Sequence, residues 1–78
     1  MEIKYELYDL LLGSGLPDDK TVSYLKEARK IDRAWDLVQL IDRIRLLNDE
    51  FTLYEDFMLR QTKRKAVRYY NERERYVQ

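Results

Sequence analysis

Histidine and cysteine are absent from this sequence of 78 residues, which also contains only one proline and two glycines. Without cysteine no disulfide can form, and without either residue the usual zinc ligands are missing. The imidazole base and the thiolate nucleophile are missing too, and Ser14 and Ser23 have no recognisable base beside them. We therefore expect a protein that is not an enzyme and that holds neither a metal nor a cofactor.

Long apolar runs are missing as well. No segment approaches the roughly 18 apolar residues of a membrane-spanning helix, and no charged leader precedes a shorter apolar run. We expect a cytoplasmic protein that does not bind membranes. Residues 1–78 are predicted to form a single domain, and a chain of this length hides only about 60 to 65% of the surface that it exposes when unfolded. Self-association is a common further source of stability in domains this small.

The charges cancel overall but are unevenly placed. Lysine and arginine together number 15, as do aspartate and glutamate. Residues 1–59 hold 8 basic and 13 acidic side chains, whereas residues 60–78 hold 7 basic and 2 acidic ones. A segment of one sign can be an interaction tail, although basic residues are also favoured at the C-terminal end of a helix. Residues 60–78 are predicted to be a basic, aromatic helical extension.

The segment from residue 31 to residue 47 is the most apolar part of the chain. At about 100° per residue, its apolar side chains cover most of the circle of a helical projection. The narrow polar stripe that is left consists of Asp32, Asp36, Gln39 and Arg43. A helix that is apolar nearly all round belongs in a core. The sequence therefore predicts an all-α fold, a small bundle of three to four helices with this segment innermost and a basic C-terminal helix that partly projects.

Residues 2–12 are predicted to form the first helix. At helical pitch, one arc of about 100° contains the apolar residues Ile3, Leu7, Leu10 and Leu11. The opposite face is polar. The same residues also alternate as in a strand, but no convincing partner strand exists elsewhere. Gly13 is expected to end this helix in the left-handed conformation, within a breaker cluster that covers residues 13–17.

Residues 15–21 share a glycine, a spacer and a Lys-Thr pair with phosphate-binding loops. The second glycine is missing, however, and Asp18 and Asp19 would face the phosphates. This pattern therefore does not indicate a nucleotide site. Pro17 and the two aspartates instead fit the first turn of a helix.

No glycine or proline interrupts residues 18–48, so one helix of roughly 45 Å is conceivable. The apolar side of residues 18–30, however, points in a different direction from that of residues 31–47. We favour two helices with a bend near Lys30 and with Asp32 as the cap of the second, and one long bent helix is the alternative. The apolar second helix would make a poor DNA-recognition helix.

The end of the apolar segment and the start of the last helix carry three further expectations. Acidic and cap-type residues break the apolar run at residues 48–50, where the last helix is predicted to begin.

Asp42 and Arg45 lie at i, i+3 spacing inside the apolar band and are expected to pair with each other. Leu53 and Phe57 are expected to be enclosed at the start of the last helix, which becomes amphipathic further on.

The most distinctive local feature is a run of basic residues beside tyrosines in the last helix. Between residues 60 and 71 there are five cations and no carboxylate. Arginines at i, i+4 and i+8 repel one another by a few tenths of a kcal/mol per pair, which favours an anionic neighbour. The predicted partner-binding residues are Arg60, Lys63, Arg64, Lys65, Arg68, Tyr69, Tyr70 and Arg75.

Several functions fit this surface. We expect foremost a non-catalytic interaction module, a small adaptor or regulator that binds another protein, because arginine and tyrosine are enriched in binding hot spots. A nucleic-acid-binding protein is the first alternative, with phosphates on the cations and bases stacked on the tyrosines, although zero net charge argues against it. A structural subunit that assembles with itself is the second. A solvated basic face without a partner is the simplest alternative.

A homodimer is also predicted. The last helix has a heptad-like aromatic face that could pair with a second copy, and the acidic first 59 residues offer a surface complementary to the basic segment. This face consists of Phe51, Met58, Thr62, Lys65, Tyr69 and Tyr76.

Overall fold

Four α-helices and one short π-helical segment build the computed structural model, which describes residues 1–76. The helices are α1 (Ile3–Leu12), α2 (Asp18–Arg29), α3 (Ala34–Leu47) and α4 (Leu53–Tyr69), and α4 continues directly into a π-helical segment (Tyr70–Glu74). No strand occurs within residues 1–76. The predicted all-α bundle is confirmed. Residues 77 and 78, the end of the predicted basic extension, lie outside the described residues.

The core is built around α3. Because apolar residues recur at intervals of three and four, one side of α3 faces the neighbouring helices from residue 34 to residue 44. The buried side chains of α3 are Ala34, Leu37, Val38, Leu40, Ile41 and Ile44. They pack with Leu7 and Leu11 of α1 and with Leu59 and Ala66 of α4. The prediction that this helix is innermost is therefore confirmed.

The polar helix of the bundle is α2. Among its residues only Ala28 is buried. A lysine of α1 fastens its C-terminal end, because Lys4 Nζ donates to the carbonyls of Arg29 at 3.1 Å and of Ile31 at 2.7 Å. A cation at this end satisfies carbonyls that have no partner in the helix and interacts favourably with the helix dipole.

Separate helices α2 and α3 are confirmed, but the predicted cap of α3 is wrong. The N-cap position is Arg33 rather than Asp32, and its side chain makes no cap hydrogen bond. The amide of Ala34 donates instead to the carboxylate of Glu74 at 2.8 Å. An acceptor from the far end of the chain therefore replaces the local cap. Gly13 also differs from expectation, since its φ of −88° is not left-handed.

The start of α4 lies later than the predicted residues 48–50. The amide of Glu55 donates to Thr52 Oγ1 at 3.1 Å, and the amide of Thr52 donates to the carboxylate of Glu55 at 2.9 Å. This reciprocal capping box fixes Leu53 as the first residue of the helix. Asn48 is buried at the end of α3 and does not begin a helix.

The predicted pairing of Asp42 with Arg45 is wrong. Asp42 binds Lys63 at 2.8 Å, and Arg45 binds Asp56 at 2.7 Å. Both side chains turn toward α4, where each finds a partner of opposite charge. The two ion pairs therefore fasten α3 to α4 instead of bracing α3 alone.

The aromatic face predicted to bind a second copy is partly covered by α1 of the same chain. Thr62 is buried, Met58 and Tyr69 are half-buried, and Lys65 pairs with Glu6 of α1 at 2.7 Å. Tyr76, at the far end of the face, is 79% exposed. The middle of the face therefore packs inside the chain and does not form a continuous heptad-like seam for a second copy.

The C-terminal segment that was predicted to project is held against α3 at two points. The ring of Tyr70 packs on that of Trp35 with centroids 5.1 Å apart, and the carboxylate of Glu74 binds the amide of Ala34. The other described side chains beyond Tyr70 are exposed. The segment thus combines an outward basic side with an anchored inner side.

Candidate interaction surface

The packing of α4 sends the predicted partner-binding residues in different directions. Lys63 is turned toward Asp42 of α3, and Lys65 toward Glu6 of α1. These two cations hold α4 in the bundle. The side of α4 that faces away from both neighbours carries the exposed arginines Arg60, Arg64 and Arg68.

These three arginines continue an apolar row on the same side of α4. The members are spaced by four, three, four and four residues, so they form one stripe along the helix. We call it the outer stripe, and it consists of Leu53, Phe57, Arg60, Arg64 and Arg68. Leu53 is 92% exposed and Phe57 is 47% exposed. The prediction that both are enclosed is wrong, because neither α1 nor α3 covers this side of α4.

Large apolar side chains are also exposed where α3 ends. Leu46 is 81% exposed and Leu47 is 62% exposed, although both belong to the most apolar segment of the chain. Arg45, the residue before Leu46, binds Asp56 in the first turn of α4. Exposed apolar side chains that form a contiguous patch are typical of a surface that binds another molecule.

Two cations of the outer stripe, Arg64 and Arg68, form no ion pair with a described residue. Arg60 Nε binds Asp56 at 3.2 Å. No ion pair within residues 1–76 therefore relieves the repulsion between Arg64 and Arg68, and an acidic group from outside would relieve it.

The predicted tyrosines are partly occupied. Tyr70 packs against Trp35, and Tyr69 carries the guanidinium of Arg73 at 5.5 Å from its ring centroid. Both tyrosines are half-buried. The remaining predicted residue, Arg75, is exposed and lies over the ring of Tyr76 at 5.7 Å. The rings therefore offer only part of their faces to a partner.

The outer side of α1 forms a second stripe, which was predicted to be polar but is not. We call it the α1 stripe, and it consists of Glu2, Tyr5, Asp9 and Leu12. All four are exposed, with Tyr5 at 65% and Leu12 at 66%. Neither acid forms an ion pair with any described residue. The signal was present in the sequence, since Tyr5 and Leu12 fall outside the apolar arc of the first helix.

A small charge network joins α3 to the first turn of α4. Arg45 donates from Nε and Nη2 to the two carboxylate oxygens of Asp56, at 2.7 and 3.4 Å, and Arg60 approaches the same carboxylate. The hydrogen bonds from Arg45 are the main cause that lowers the pKa of Asp56 below its usual 3.8. The carboxylate is therefore ionised at neutral pH and holds two arginines.

Replacing Asp56 with asparagine is expected to lower the free energy of unfolding by about 1 kcal/mol at pH 7, because one shared anion is lost from a partly exposed ion pair. The lowered pKa means that this contribution is present above about pH 4 and is lost as the pH falls through the folded-state pKa. Urea unfolding at pH 7 and at pH 2.5 measures both values. The exposed Asp49→Asn is the control, with little change at either pH. An equal loss for Asp56→Asn at both pH values would contradict the ionic explanation.

A groove of about 310 Å³ runs between α3 and α4. Its lining consists of Arg45, Arg60, Lys63, Arg64 and Val67. Three of these cations already bind Asp42 or Asp56. The described residues contain no group of three or more acidic side chains that could hold a metal ion. The groove therefore borders the outer stripe, and most of its cations are already held in ion pairs.

Comparison with protein-family models, with curated proteins and with solved structures finds no match to this chain. No helix within residues 1–76 has both the length and the apolar character needed to cross a bilayer.

Proposed function

We propose that this protein is a non-catalytic interaction module, a small adaptor or regulator that binds protein through the outer stripe of α4. The observation that carries the proposal is the continuity of this stripe, in which the exposed Leu53 and Phe57 lead into Arg64 and Arg68, two cations that form no ion pair within residues 1–76. Arginine is enriched in protein-binding hot spots, and phenylalanine is enriched in the cores of interfaces. The cytoplasmic location expected from the sequence stays a prediction.

The apolar part of the stripe separates this proposal from a merely solvated basic face. Leu53 is 92% exposed and lies in line with the arginines. Complete burial of such a side chain by a partner would contribute roughly 1.5 to 3 kcal/mol to the free energy of binding. Arginine adds planar hydrogen bonds to carboxylates, which give a protein contact its direction. A partner that covers both parts therefore gains burial and charge pairing together.

Nucleic acid fits the same surface less well. The cations in line on the outer stripe number three, and one of them, Arg60, already binds Asp56. Base stacking would use Tyr69 and Tyr70, which are half-buried and partly covered by Arg73 and Trp35. Phosphate contacts alone would give weak binding that falls steeply with salt.

Two double variants with the same change of charge test the proposal. The stripe variant carries Arg64→Glu and Arg68→Glu, and the control carries Lys30→Glu and Arg33→Glu, which are exposed at the turn between α2 and α3. Wild-type chain and both variants are immobilised and exposed to an extract of the source cells, and the bound proteins are quantified by mass spectrometry. We expect the stripe variant to lose at least 90% of the specifically bound protein and the control to lose little.

Retention of the same proteins by the stripe variant would contradict the proposal. A parallel titration uses mixed-sequence DNA and RNA, single- and double-stranded, across a range of salt. Binding that weakens linearly in log salt and disappears in the stripe variant would replace the protein partner with a nucleic acid. Melting temperatures of all variants show that the fold is intact.

A further inference from the structure

The α1 stripe and the outer stripe have matching spacing and complementary chemistry. Read antiparallel, they align residue by residue, because the intervals along α1 are three, four and three and those along α4 are three, four and four. Apolar meets apolar, acid meets base, and a tyrosine ring meets a guanidinium. The aligned pairs are Leu12 with Phe57, Asp9 with Arg60, Tyr5 with Arg64 and Glu2 with Arg68.

Contacts within one chain show where these residues lie along the long axis of the bundle, a position that we call their height. Glu6 of α1 is level with Lys65 of α4, since their side chains bind at 2.7 Å. Further along, Leu10 and Met58 line one groove between α1 and α4. The two helices therefore run antiparallel, and the aligned pairs lie within about two residues of the same height, or about 3 Å.

This agreement in height is what a two-fold axis parallel to the bundle requires. Rotation about such an axis leaves every height unchanged and places α1 of each copy over α4 of the other. The axis follows the groove between α1 and α4, whose volume is about 300 Å³ and whose lining includes the half-buried Leu10 and Met58. The contact occurs twice and uses both stripes of each copy, so the assembly closes at two.

We infer that the chain forms a two-fold symmetric homodimer in which the α1 stripe of each protomer binds the outer stripe of its partner. The inference rests on the proposed function, because it assigns a second copy of this chain as the protein that binds the outer stripe. Asp9 and Glu2 supply the carboxylates that Arg60 and Arg68 face, and Leu12 covers Phe57. Each protomer contributes the eight aligned residues and the lining of the groove, fewer than the roughly 20 to 30 residues a side of a standard interface, so we expect a dissociation constant on the order of micromolar and sensitivity to salt.

Charge exchange between the two stripes tests the dimer. One variant carries Glu2→Lys and Asp9→Lys, the other carries Arg64→Glu and Arg68→Glu, and none of these side chains has an ion pair among the described residues. Sedimentation velocity from 5 μM to 1 mM, chosen around the expected constant, measures association. We expect a dimeric wild type and at least tenfold weaker association of either variant alone. The equimolar mixture should form a heterodimer, because both of its contacts then pair opposite charges.

A single chain with all four substitutions is expected to dimerise again, and Lys30→Glu with Arg33→Glu to leave association unchanged. A monomeric wild type at 1 mM, or a mixture of the two variants that stays monomeric, would overturn the inference. The proposed function is tested separately. If the wild type is monomeric but the stripe variant still loses captured protein, the proposed function stands and only the second copy is excluded as its partner. Circular dichroism confirms that each variant is folded.

Discussion

Ile41→Ala is expected to lower the free energy of unfolding by about 3 kcal/mol and the melting temperature by roughly 12 to 24 °C. Ile41 is fully buried in the middle of α3, between Leu37 and Ile44. Its truncation leaves a cavity that the surrounding helices can fill only partly. The destabilisation is therefore the sum of the lost transfer free energy of the removed methyl and methylene groups and the free-energy cost of the cavity. Because a domain of this length has a total stability of about 4 to 12 kcal/mol, the variant loses a large fraction of it.

The control for this prediction is Leu46→Ala, which removes a side chain of the same volume from the same helix. Leu46 is 81% exposed, so its stability should change by less than about 0.5 kcal/mol. Urea unfolding followed by circular dichroism measures both variants. A similar loss at the two positions would mean that α3 is not the core of the bundle.

Asn48→Ala is expected to cost about 2 kcal/mol, because it removes the hydrogen bonds of a buried amide. Asn48 is 4% exposed, and its Nδ2 donates to the Tyr24 hydroxyl and to the Ile44 carbonyl, both at 2.9 Å. Its Oδ1 accepts from Lys20 at 3.1 Å. One side chain thus ends α3 and ties it to α2, and alanine leaves a buried carbonyl and a hydroxyl without this partner.

The neighbouring Asp49→Ala serves as the control, since Asp49 is exposed and should change stability by less than about 0.5 kcal/mol. A cycle with Tyr24→Phe separates the contributions. If the losses in the free energy of unfolding of the two single variants differ in sum from that of the double variant by about 0.5 kcal/mol or more, the contact between the Asn48 and Tyr24 side chains contributes to stability. Strict additivity would assign the cost of Asn48→Ala to its bonds with the Ile44 carbonyl and Lys20.

Helical periodicity was sufficient to predict the bundle and its central helix. The apolar spacing of α3 buries Leu37, Ile41 and Ile44 as expected, because a helix with so many apolar residues has to be surrounded. Thr52 and Glu55 also have the sequence spacing of a capping box, which marks the start of α4 more closely than the acidic residues 48–50 do.

Other features depend on residues distant in the chain. The acceptor for the Ala34 amide is Glu74, forty residues away, and no local pattern can indicate that pair. The candidate surface shows the same limit. The run of cations was visible in the sequence, but only the positions of Asp42 and Glu6 show that Lys63 and Lys65 are paired within the bundle, whereas Arg64 forms no ion pair with a described residue. Charge predicts a surface, whereas tertiary neighbours decide which charges belong to it.

The sparse attachment of α2 gives the bundle two levels of stability. Ala28 is the one buried residue of this helix, Tyr24 and Leu25 are half-buried against the core, and side-chain hydrogen bonds from Lys4 and Asn48 hold it. Detaching α2 exposes less apolar surface than opening α3, so we expect its opening to require less free energy than global unfolding. We therefore expect the amide hydrogens of α2 to exchange with solvent deuterium through local opening, and those of α3 to exchange only through global unfolding.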